Sequence, residues 1–149
     1  MKTPALLLLV LLTACSGAEP PRAAVLSQPV DSQADFGDLR VHYNALPTLS
    51  LSEAVARQYG VDRDAGSAML VVAVRRVAGG DELAAQAEVS AKVQDLQGAV
   101  QRVDFATVKT GDYSDHIGAF DISPRDTYRF EITVKSAGRT EVVKFQRDF

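Results

Sequence analysis

A single cysteine among 149 residues cannot close an intrachain disulfide, so the folded part must stand on its packing alone. Only two histidines are present, His42 and His116, and they lie far apart in sequence. Zinc asks for at least three good donors, and harder cations ask for several converging oxygens. No excess of basic charge exists: 16 Lys and Arg face 19 Asp and Glu, a formal net charge of −3. That balance argues against nucleic acid as a partner, which calls for clustered cations. No serine sits in a nucleophile-elbow pattern, and no phosphate-binding glycine loop, dinucleotide fingerprint or HExxH occurs. The sequence therefore nominates no catalytic residue, no metal ligand set and no cofactor. Long apolar runs are missing too. The longest, from Ala5 to Leu12, is far short of the roughly 20 residues a spanning helix needs.

What is present begins at the N terminus. Lys2, the apolar run and the small residues before Cys15 have the layout of a secretory signal. Leu12-Thr13-Ala14-Cys15 resembles the lipobox of bacterial lipoproteins. The resemblance implies that residues 1–14 are a signal peptide and that the Cys15 sulfur carries a diacylglyceryl group. Cleavage comes before the cysteine, and acylation of the new amine (palmitate is the usual acid) adds a further chain. Each buried methylene contributes about 0.8 kcal/mol, and two acyl chains suffice for stable attachment. Ser16 follows, where an aspartate tends to hold such proteins in the inner membrane, so the resemblance implies the outer membrane. Losing 14 of 149 residues leaves 135, enough for one domain with a real core, and losing Lys2 takes the charge from −3 to −4.

Residues 15–34 carry Pro20, Pro21 and Pro29 and no aromatic side chain, the composition of a flexible tether. Its roughly 19 residues average about 25 Å end to end. The domain is expected over residues 35–149. Leu39, Val41 and Tyr43 alternate with Arg40, His42 and Asn44, the two-residue period of a strand with one dry face. Ser50-Leu51-Ser52-Glu53 matches a capping box, with Ser50 as cap, ahead of a short helix through Tyr59 stopped by Gly60. Ala68 to Val74 is unbroken apolar sequence, a central strand buried on both faces. Gly79-Gly80 offers a turn.

From Ala85 to Val93 strict alternation points to a strand, although Ala, Gln, Glu and Lys are good helix formers. Further strands are predicted over Val100–Val108, His116–Ile122 and Tyr128–Lys135, then a hairpin at Ala137-Gly138 into a last strand with Val143 and Phe145. About seven strands and one short helix predict an all-β fold, an antiparallel β-sandwich. The run from Phe120 to Val134 resembles paired strands of immunoglobulin-like and fibronectin-like modules, with Tyr128 as the corner tyrosine. A closed barrel is the alternative architecture.

Phe36-Gly37-Asp38 followed by Val41-His42-Tyr43-Asn44-Ala45 resembles a bacterial family of uncharacterised exported proteins, the domain of unknown function 4426. The segment ending at Tyr59, the Leu70–Val74 strand, the Asp95-Leu96-Gln97-Gly98 turn and the Lys144-Phe145-Gln146 ending match as well. The similarity spans Phe36 to Phe149. It implies one compact exported domain and supplies no activity.

Three clusters invite a functional reading. His42, Tyr43 and Asn44 are the candidate binding residues: on a strand, His42 and Asn44 share one face and offer donors and acceptors two residues apart. Tyr43 in the core with a wet His42 and Asn44 is the plainer alternative. Asp112, Asp115 and His116 read as turn acids rather than ligands. Phe149 reads as the hydrophobe closing an edge strand, not as the end of an outer-membrane barrel. The expectation is a non-catalytic binding domain held to the membrane by its N-terminal lipid, facing the periplasm from the outer membrane. A periplasmic or envelope protein or peptide is the expected partner, with strand addition at a sheet edge as a natural mode of docking. The competing reading is a small periplasmic hydrolase or ligand-modifying enzyme using His42 or His116.

Overall fold

A computed structural model describes residues 32–149. The signal, Cys15 and most of the tether lie outside the described residues. The strands are β1 (Gln33–Phe36), β2 (Leu39–Pro47), β3 (Ser67–Ala78), β4 (Asp81–Ala84), β5 (Glu88–Gln94), β6 (Val100–Val103), β7 (Ala106–Thr110), β8 (Tyr113–Asp121), β9 (Thr127–Ser136) and β10 (Arg139–Asp148), with one helix, α1 (Glu53–Tyr59). They form two antiparallel sheets, one ordered β1-β2-β3-β8-β7 with β4 also on β3, the other β10-β9-β5-β6. This is a sandwich and not a closed barrel.

The period-two pattern places the core between the sheets. Val41, Tyr43, Leu70, Val72 and Val74 of the larger sheet meet Val93, Phe130, Ile132, Val134 and Val143 of the smaller. An aromatic cluster closes one end, with Phe120 edge-on to Phe130 at 5.4 Å and Phe130 stacked on Phe145 at 4.4 Å. Phe149 packs there too, 5.8 Å from Phe120 and 5.7 Å from Tyr128, and its N–H donates to the Asp126 carbonyl. Tyr128 accepts a hydrogen bond from the Ser123 N–H at 2.8 Å, the corner bond expected of it.

β3 is buried on its inner face throughout Ala68–Val74. On its outer face Val71 and Ala73 are half-buried, so the expected two-sided burial holds for only part of the strand. Met69 alone is buried on that side, where a second core lies outside the larger sheet. There Met69 and Ile117 pack under Leu51 and Ala56, so the short α1 is held by burial rather than by propensity. Its cap differs from the expected box. Ser52, not Ser50, accepts from the Val55 N–H, whereas the Ser50 hydroxyl donates to the Pro47 carbonyl within a 3-10 turn over Thr48–Ser50. Glu53 is thus the first helical residue. Gly60, left-handed at φ 66°, ends the helix as expected.

Four boundaries also differ. A strand begins at Gln33, two residues before the expected domain start. The alternating segment from Ala85 is a strand only from Glu88. Tyr113 to His116 belong to β8, whose start falls earlier than predicted. The single strand predicted over Val100–Val108 is two: β6 in the smaller sheet, then β7 in the larger after a break at Asp104-Phe105. The hydrophobic pattern runs through that break, which is why it is invisible in sequence. The count rises from about seven strands to ten among the described residues. The crossing is tight: a Cβ at Gly118 of β8 would sit 2.6 Å from the Asp104 carbonyl oxygen and collide with Val103.

Candidate functional site

Alternation along β2 turns Leu39, Val41, Tyr43 and Ala45 inward and Arg40, His42 and Asn44 outward. Register then assembles the outer face: His42 lies opposite Ala73 of β3, and Ala73 opposite Asp115 of β8. Ala73 is a low floor between two polar walls.

His42 Nε2 is 2.9 Å from Glu82 Oε1 on β4. The same carboxylate oxygen accepts from Arg40 Nη1 at 3.1 Å, while Arg40 grips Asp35 with Nε at 2.7 Å and Nη2 at 3.1 Å. The hydrogen bond to His42, and then that from Arg40, hold the Glu82 carboxyl below its usual range. Arg40 in turn holds Asp35 low, and the two carboxylates raise Arg40. Across the floor, Arg75 Nη2 donates to Asp115 Oδ1 at 2.6 Å and its guanidinium lies 4.4 Å over the Tyr113 ring. Tyr113 donates its hydroxyl proton to the Glu82 carbonyl at 2.8 Å and joins the two walls.

His42, Asn44, Val71, Ala73 and Ser32 border a shallow hollow beside this network. His42 and Asn44 share a face as expected, and Asn44 is exposed. Tyr43 is buried, its ring 4.7 Å from Phe145. Tyr59 stays with the second core around α1. Asp112 is exposed in the turn after Gly111.

Asp115 faces outward and His116 inward, edge-on to Phe105 at 6.3 Å, so these neighbours in sequence cannot act together. Burial pushes the His116 imidazole below its usual value, against a smaller opposing pull from Asp115. The two histidines therefore occupy opposite faces of one sheet. Among the described residues no three of His, Cys, Asp and Glu converge to hold a metal ion.

Sequence reasoning missed Arg40, Glu82, Arg75 and Tyr113. Arg40 was within reach, two residues before His42 on the same face. Glu82 arrives only because Gly79-Gly80, both at positive φ, fold β4 back along β3, and that register cannot be read from a linear pattern.

Comparison with solved structures finds a DUF4426 family protein from Pseudomonas aeruginosa PAO1, 28% identical, with a TM-score of 0.66 over 78% of this chain and 92% of that one. FetP of uropathogenic Escherichia coli strain F11 shares the fold at 11% identity. A copper-bound variant of it gives a TM-score of 0.57 over 78% of this chain and 93% of that one. The as-isolated form gives 0.56 over 81% and 94%. No curated protein matches the sequence. The family model described as "Domain of unknown function (DUF4426)" matches residues 33–149, the same span as the sandwich, and the chain belongs to that family.

Proposed function

We propose that this protein is a lipid-anchored envelope domain that binds a protein or peptide in the periplasm without transforming it. The observation that carries the binding reading is the outer face of the larger sheet. A network of hydrogen bonds and ion pairs centred on Glu82, with His42 and Arg40 on one carboxylate oxygen, borders an open hollow floored by Ala73. Groups tied to one another in this way form a preorganised surface that loses little freedom on contact. A hydrolytic relay holds the histidine between a carboxylate and a nucleophilic hydroxyl or thiol. Glu82 supplies a carboxylate to His42, and among the described residues no hydroxyl or thiol hydrogen bonds to that ring. This favours recognition over the hydrolase reading. The anchor reading is supported by Leu12-Thr13-Ala14-Cys15, and Ser16 favours the outer membrane.

The copper of the FetP variant is not carried over. Its fold is shared, but the described residues offer no converging donor set, since His42 and His116 point to opposite sides.

Two measurements test the proposal. Mass spectrometry of the mature protein should show a mass above the bare polypeptide, and Cys15→Ser should move it to the soluble fraction. Unchanged partitioning removes the anchor. A photocrosslinker at Asn44 should give a discrete adduct in cells that disappears when Ala73→Trp fills the hollow. An adduct indifferent to Ala73→Trp, or none, removes the binding site.

A further inference from the structure

The outer face of the smaller sheet, on the opposite side of the sandwich, gathers cations that are mostly unpaired. Register on the smaller sheet sets Arg102, Lys92, Glu131 and Lys144 in one row across β6, β5, β9 and β10. The next row is Gln94, Arg129 and Gln146. Lys92 and Arg102 are directly opposed like charges, an arrangement that costs stability in an isolated sheet. Glu131 is the carboxylate among them. Lys144 contacts it at 3.1 Å, and that hydrogen bond, with Lys92 contributing less, holds it below its usual range. Lys92, Arg102 and Arg129 have no ion-pair partner within 4.0 Å among the described residues, and all three are exposed. The face is hollowed on both sides of the Lys92–Glu131 row. This concentration of cations occurs in a chain whose formal net charge is −3.

We propose that this face docks an acidic, Asp/Glu-rich segment of a partner protein. Guanidinium groups take carboxylates bidentately. Strand geometry repeats same-side side chains about every 7 Å, close to the roughly 7–8 Å diagonal spacing of Lys92, Arg129 and Lys144. Val100 and Val142, 57% and 43% exposed on the two edge strands, supply apolar contacts at the rim of the kind protein interfaces use. No aromatic side chain lies in these outward rows. The platform on which bases of a single-stranded nucleic acid stack is thus missing. The hollowed shape suits a chain laid across it better than a planar bilayer. The inference stands apart from the anchor proposal and from the His42 hollow, which lies on the larger sheet.

The test uses the full chain in detergent and a fluorescein-labelled peptide of alternating glutamate and serine, read by anisotropy. Binding should weaken at least tenfold in a Lys92→Glu, Arg129→Glu double variant, and should fall between about 20 and 200 mM salt. Arg57→Glu, on α1, should bind as the parent does. If the charge reversal disturbs the circular dichroism, Lys92→Gln with Arg129→Gln replaces it, with a loss of several-fold expected. No binding, binding indifferent to either double variant, or binding to phosphatidylglycerol vesicles in place of the peptide overturns the assignment.

Discussion

His116 sits on the inner side of β8 against Phe105, where burial disfavours its charged form. Its folded pKa is below the usual 6.5, so the unfolded chain binds the proton first. The stability this contributes is full above pH 6.5 and is lost progressively as pH falls from there to the folded value. The carboxylates with lowered values (Asp35, Asp38, Glu82 and Glu131) act in a separate window, below their usual 3.8 to 4.5. Thermal melting should therefore decline as pH falls below 6.5 in the parent, and decline less steeply in His116→Gln. Equal slopes would show that the ring is solvated. At Gly118 the issue is space. A methyl there meets the Asp104 carbonyl and Val103, and backbone cannot swing aside as a side-chain tip can. Gly118→Ala should cost about 3 kcal/mol, measured by urea denaturation. A loss below about 1 kcal/mol would mean that β6 and β8 are held more loosely than drawn.

At the scale of the element, legibility tracked how local the determining interactions are. β9, with Tyr128, Phe130, Ile132 and Val134 inward, was readable residue by residue, because alternation alone fixes a strand with one wet face. The same rule put His42 and Asn44 on one side of β2. What could not be read was the break at Asp104-Phe105, which has no glycine or proline to mark it, and the identity of His42's partner. Glu82 lies 40 positions away, and only the β3–β4 register brings it there. The helix cap slipped by two residues because Ser50 completes the box with Glu53 whereas Ser52, with Val55 three residues on, caps without one; the 3-10 turn over Thr48–Ser50 consumed the first serine. One hairpin departs from its usual chemistry. Ala137 adopts φ 49° before Gly138 at 77°, a pair of left-handed residues for which Asn-Gly is preferred. Ala137→Asn should raise the unfolding free energy by about 1 kcal/mol, seen as a higher urea midpoint at unchanged slope.

For the whole molecule, closure at one end depends on aromatic rings contributed by β2, β8, β9, β10 and the last residue. Phe149 meets Phe120 and Tyr128, so one strand of each sheet and the segment after the last strand become one block. Phe149→Ala should cost about 2 kcal/mol through lost burial and ring contacts, with the near-ultraviolet tyrosine signal of Tyr128 changing in step. No change in melting would place the ring outside the cooperative unit. The two broad faces of this block differ in kind. One is a polar lattice already tied to itself around Glu82, the other a set of cations around Glu131. A single small domain can thus present two chemically distinct surfaces to opposite sides.

The terminal ring has a practical corollary for anyone attaching a reporter. A fluorescent protein or epitope joined at Phe149 would continue from the main-chain carboxyl of a half-buried residue whose backbone N–H is already bonded to the Asp126 carbonyl. It would tug on the aromatic block with every fluctuation. The exposed turn at Gly111-Asp112, with Gly111 itself kept for its left-handed φ of 61°, is the gentler place to insert a label.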